Sequence, residues 1–200
     1  MKTEELSKSE KAARIVSVIG HPFILLTVTI FIVALHRTHP VRALTFGGAA
    51  VLFTVSPLLF IIRRRVAAGR WSDHDISDAA ERRNFYPIAI TVAAVSTFLF
   101  YLLNFPHGLL VGMLMSLVIL LAAMLINRFS KISLHMIFAA YFAVALAAVS
   151  LWSGAFFLLL AAAVGWSRVR LKRHTTVQVL SGALLGAIAG IIFLKVVGFF

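Results

Sequence analysis

Apolar residues come in seven runs, at about 17–35, 43–62, 86–104, 108–126, 134–152, 153–166 and 176–200, divided by short polar stretches. A helix needs about 20 apolar residues to cross a bilayer, and most of these runs qualify. The pattern predicts an all-α fold, a polytopic bundle of seven transmembrane helices. The number falls to six if the first run lies in the interface or two runs merge. The sixth run, Ser153 to Trp166, is short, as expected of a helix that tilts little, thins the bilayer or starts in a protein-lined cavity. Residues 1–16 form a polar tail of mixed charge, read as an interfacial helix, and 17–200 form one membrane domain. The first run is too long for a signal-peptide core and lacks a convincing small-residue cleavage site. Gly182, Gly186 and Gly190 recur every fourth residue in the last run, a face suited to close helix packing or, as the less expected use, to a homodimer contact.

Composition supports a nonpolar solvent. Of 200 residues 61% are hydrophobic and 13% charged, against about 45–50% and about 25% in soluble domains. Cysteine is absent, which excludes disulfides, thiolate metal sites and cysteine nucleophiles. The net charge of +12 could point to nucleic acid, but the cations lie in short loops between apolar runs, and no separate soluble domain carries them.

Threading seven segments places sixteen of the 19 Lys and Arg residues on the face of the N-terminus, leaving Arg37, Arg42 and Lys195 opposite. Basic loops stay cytoplasmic. The expectation is a multi-pass protein of the cell membrane, in contact with membrane lipids, with its N-terminus and large polar loops in the cytoplasm. A phosphate site would account for part of the same charge, which weakens the topology argument to that extent.

Three loops on that face carry polar residues at helix boundaries: WSDHDISDAAERRNFYP from Trp71, NRFSKISLHMIF from Asn127 and GWSRVRLKRHTTVQ from Gly165. Each alone reads as a juxtamembrane anchor or basic loop. Together they place two histidines at helix starts beside clustered Arg and Lys, where free N–H groups and the helix dipole favour an anion. Histidine also supplies a nucleophile or acid near neutral pH. Asp73, Asp75, Asp78 and Glu81 with His74 fit no metal-loop spacing, and read as a solvated acidic turn balancing Arg82 and Arg83.

Ser167-Arg168, five residues, His174, three residues and a polar side chain resemble the last motif, SR-x5-H-x3-D, of the type 2 phosphatidic acid phosphatase (PAP2) superfamily. Ser133-x-His135 resembles the PSGH motif of that family, and Arg83 sits where K-x6-RP places its arginine. The likeness spans about residues 70–190. It implies a PAP2-like core and a phosphatase without metal or cofactor. His174 would be the nucleophile that becomes phosphohistidine, and His135 the acid that protonates the leaving oxygen. Arg83 and Arg168 would hold phosphate oxygens with bidentate geometry, and Ser133 would donate further hydrogen bonds.

The chain also departs from the family pattern. Gln178 replaces the Asp; it would orient His174 but adds no negative charge. The first-motif Lys falls at Ile76, and Lys131 is its candidate substitute. Ile132 and Leu134 replace the Pro and Gly of PSGH. These K-x-S-x-H and H-T-x-x-Q spellings resemble a subgroup of the superfamily.

The function implied is hydrolysis of a lipid phosphate or diphosphate, resembling phosphatidate or polyprenyl diphosphate. The alternative is a catalytically degenerate relative that binds lipid phosphates or acts as a membrane scaffold. A transporter is disfavoured, because no acidic residue lies inside an apolar run.

Overall fold

A computed structural model describes residues 7–76 and 78–199 of the chain. The first six positions of the tail, with Lys2 among them, lie outside the described residues. Eight helices and no strand are found among the described residues: α1 Lys8–Ile19, α2 Pro22–Arg37, α3 Pro40–Ala67, α4 Ala79–Leu102, α5 His107–Ile126, α6 Leu134–Ala147, α7 Leu151–Arg170 and α8 Thr176–Val196. By length and composition α3, α4, α5, α7 and α8 can each cross a membrane, and α1 with α2 adds a sixth if the bent pair is one span. The chain is all-α and has the helices of a multi-pass membrane protein.

Helix boundaries differ from the apolar runs for local reasons. Ser7 and Glu10 form a reciprocal capping box, which starts α1 inside the polar tail rather than at the first apolar residue. The first run then breaks at Gly20–His21 by 49°. Pro22 has no amide hydrogen and starts a helix readily, and His21 Nδ1 accepts the Phe23 amide at 3.3 Å in the manner of a cap. A side chain at Gly20 would collide with Val164 of α7, so the bend sits at a close approach to that helix.

The fifth and sixth runs exchange lengths relative to expectation. α6 stops at Ala147 after 14 residues, about 21 Å of helix against roughly 30 Å of hydrocarbon. α7 extends for 20 residues, from Leu151 to Arg170. Ser150 caps α7 by accepting the Ser153 amide at 3.0 Å, and Gly154 lets α7 lie against Ala147. Ser167, Arg168 and Arg170 continue α7 with polar partners that hydropathy does not register: the Ser167 hydroxyl donates to the Val164 carbonyl, and the two arginines donate to serines of α1. α6 is short because it is a core helix: His135 to Ala143, Ala145 and Leu146 are all buried.

The described residues form two compact units, residues 7–26 with 131–191, and residues 27–130 with 192–199. In the first unit α8 packs on α6 through its glycines. A Cβ on Gly182 would lie 3.0 Å from the Ser133 carbonyl oxygen, on Gly186 it would overlap the Ile137 carbonyl, and on Gly190 it would lie 2.6 Å from Val144.

In the second unit α3 widens into a π-helical turn at Val51–Val55, ahead of Pro57. Proline cannot donate to the carbonyl four residues back, and that carbonyl, on Phe53, accepts the Ser96 hydroxyl of α4 at 2.8 Å. Asp78 caps α4 through the Ala80 and Glu81 amides, while Glu81 accepts both the amide and the hydroxyl of Ser72. Two of the four acidic groups in this loop are thus used in shaping the start of α4.

Candidate active site

The spacing from Arg168 to His174 is a helix ending. Lys172 takes a left-handed φ of 55°. The Lys172 amide donates to the Val169 carbonyl and the Arg173 amide to the Arg168 carbonyl, each at 3.0 Å. This is the paired closure that commonly terminates helices at a left-handed residue. The His174 amide then donates to the same Arg168 carbonyl at 3.2 Å. Five intervening residues are what the chain needs to leave α7 and return His174 to the backbone of Arg168.

α8 starts with a second reciprocal cap. Thr175 Oγ1 accepts the Gln178 amide and Gln178 Oε1 accepts the Thr175 amide, both at 3.3 Å. The same Oε1 lies 3.1 Å from His174 Nδ1. An atom that accepts a backbone N–H is the oxygen of the side-chain amide, which settles its orientation. Nδ1 must therefore carry the hydrogen, and the lone pair of neutral His174 sits on Nε2. Gln178 sets the tautomer that a nucleophilic histidine needs, and His174 stands just before the N-terminus of α8, where anions are favoured.

The middle loop supplies the second imidazole. Ser133 is fully buried and caps α6 by accepting the Met136 amide at 3.4 Å. His135, 6% exposed, follows in the first turn. Arg168, His21 and His174 all lie within electrostatic reach of it, and the His21 ring meets it edge-on with centroids 5.1 Å apart. Lys131 Nζ donates to the Arg173 carbonyl at 2.7 Å, which ties the loop before α6 to the loop before α8.

Arg168 is 3% exposed, and one Nη donates to Ser17 Oγ of α1 at 2.7 Å. Two residues on, Arg170 donates to Ser9 Oγ at 2.8 Å and to Ser7 Oγ at 3.3 Å, with Glu10 at 3.9 Å.

The first unit therefore gathers Lys131, Ser133, His135, Arg168, His174 and Gln178. Arg83 belongs to the second unit, where it is exposed in the first turns of α4 beside the half-buried Arg82. Sequence reading gave Thr175 of the H-T-x-x-Q spelling no role, although T-x-x-Q is a legible capping spelling. It also passed over Ser17 and His21. No local pattern marks those two, since Ser17 meets its arginine across 151 positions of chain.

Residues 126–200 match the family model of the PAP2 superfamily. No curated protein and no solved structure matches the chain. The matched stretch contains every gathered residue named above, whereas Arg83, Ser17 and His21 lie outside it.

Proposed function

We propose that this protein hydrolyses a lipid phosphate or diphosphate through a phosphohistidine, a reading supported by the match of residues 126–200 to the PAP2 superfamily model, since that family suggests a membrane phosphatase acting on lipid phosphates. The observation that carries the reading is the His174–Gln178–Thr175 arrangement, which leaves the Nε2 lone pair as the reactive position. In the first step Nε2 attacks phosphorus, the bond from phosphorus to the lipid oxygen breaks, and His135 gives that oxygen a proton. In the second, water attacks the phosphohistidine and loses a proton to His135, so that orthophosphate departs and both imidazoles are restored.

Arg168 neutralises the charge on the transferring phosphoryl group, helped by the dipole of α8. Phosphoryl transfer is mostly positioning and charge stabilisation, which these groups supply. A site at helix ends in a multi-pass protein suits a substrate whose tail remains in the bilayer.

Purified protein in detergent is expected to release phosphate from phosphatidate or a polyprenyl diphosphate. His174→Ala should lower the rate on the order of a thousandfold or more, as loss of a nucleophile does. Undiminished hydrolysis in that variant would sink the mechanism. The competing reading, a lipid-phosphate binder without turnover, rests on the neutral Gln178 where the family pattern has a carboxylate. Binding across a panel of lipid phosphates with no release from the wild type would favour it.

A further inference from the structure

α1 lies outside the region matched to the PAP2 superfamily, yet it and the bend after it send two polar side chains to the residues assigned above. Ser17, 6% exposed, accepts from the Arg168 guanidinium at 2.7 Å. One helical turn later His21 meets His135 edge-on. Resting on the phosphatase reading, we propose that α1 is part of the site, and that Ser17 is a positioning residue which fixes the plane of the Arg168 guanidinium for phosphate.

The chemistry of the partner is the reason. A guanidinium carries five N–H groups in one rigid plane, so a hydrogen bond at one of them sets the direction of the others. A buried cation also needs an acceptor. A hydroxyl orients the group without adding a charge of its own, as a carboxylate would. The contrast lies within α1 itself, which offers Arg170 the carboxylate of Glu10 along with two serines, and offers Arg168 a serine. Ser17 and Ser9 are eight residues apart, on one side of the helix, and each receives one of the two arginines of α7. α1 runs close along α7 here, since a side chain at Gly20 would also overlap Val164.

Inhibition by orthovanadate, a phosphate-shaped anion, separates orientation of Arg168 from simple docking of α1. Wild type, Ser17→Ala, Ser17→Thr, Ser9→Ala and Arg168→Ala are assayed in detergent on a short-chain phosphatidate. Ser17→Ala should bind vanadate about tenfold more weakly and lose about as much in kcat, the worth of one oriented hydrogen bond to a charged group. Ser17→Thr keeps the hydroxyl and should restore most of both. Ser9→Ala, which loosens α1 at Arg170 only, should keep wild-type vanadate inhibition. Unchanged inhibition in folded Ser17→Ala, or an equal loss in Ser9→Ala, overturns the inference. If Ser17→Ala does not fold, Ser17→Cys keeps the volume with a poorer acceptor, and wild-type inhibition there overturns it equally. Full hydrolysis in Arg168→Ala would overturn the phosphate role of Arg168 on which the inference rests, whereas no phosphate release by the wild type would overturn the phosphatase reading itself.

Discussion

Gln178 has two duties at the residue scale, capping α8 and holding Nδ1 of His174. Gln178→Ala removes both, and kcat should fall about 10- to 100-fold, the cost of losing orientation and a charge-supporting hydrogen bond. Gln178→Glu keeps both acceptor contacts and adds a negative charge beside the imidazole. That charge stabilises the imidazolium, and the nucleophile must be neutral to attack. The acid limb of kcat/KM should therefore move to higher pH in Gln178→Glu, as a pH profile would show; an unmoved limb would argue that another group controls it. The neutral Gln178, where the PAP2 motif has a carboxylate, makes the contact to His174 Nδ1 without a charge. The contact of His174 with Gln178 was legible in the sequence, because residues four apart at a helix start share a face. Lys131 donates to the Arg173 carbonyl, a partner 42 positions away that no spacing reveals.

Elements are held by three devices whose strength can be measured. Lys172 adopts a left-handed backbone that costs a non-glycine residue roughly 1–2 kcal/mol, so Lys172→Gly should raise stability by about 1 kcal/mol in thermal unfolding. Gly186 lies against the Ile137 carbonyl, and Gly186→Ala should cost about 1–3 kcal/mol as overpacking does. Gly108, with nothing near its missing side chain, should accept Ala at no cost. The third device is the capping box of α1. The Ser7 hydroxyl and amide hold the Glu10 carboxyl below its ordinary range. A lowered value means that the cap is present above the ordinary value of 4.5 and is lost as pH falls through the lower folded one. Carboxyl titration by NMR should show Glu10 ionising below 4.5, and Ser7→Ala should return it upward. Helix existence followed from apolar runs, but helix ends followed from caps, which is why the short helix is α6 and not α7.

For the whole molecule, one-sided charge sets the remaining expectation, a cytoplasmic N-terminus with cytoplasmic polar loops. Because the chain has no cysteine, a single Phe129→Cys, at a position 93% exposed, reports the side directly. It should resist an impermeant thiol reagent in intact cells and react after lysis, while ready labelling in intact cells reverses the orientation. The sequence by itself determined that the chain is an all-α membrane protein, since apolar length and charge placement are properties of composition along a line. It also placed the candidate motif at a helix end, since the run from Arg168 to Gln178 is local. Tertiary structure decided what Lys131, Arg168 and Arg170 touch, and that α1 meets Arg168. Those outcomes depend on contacts such as Ser17 with Arg168, and residues so far apart in the chain meet only once the fold has formed.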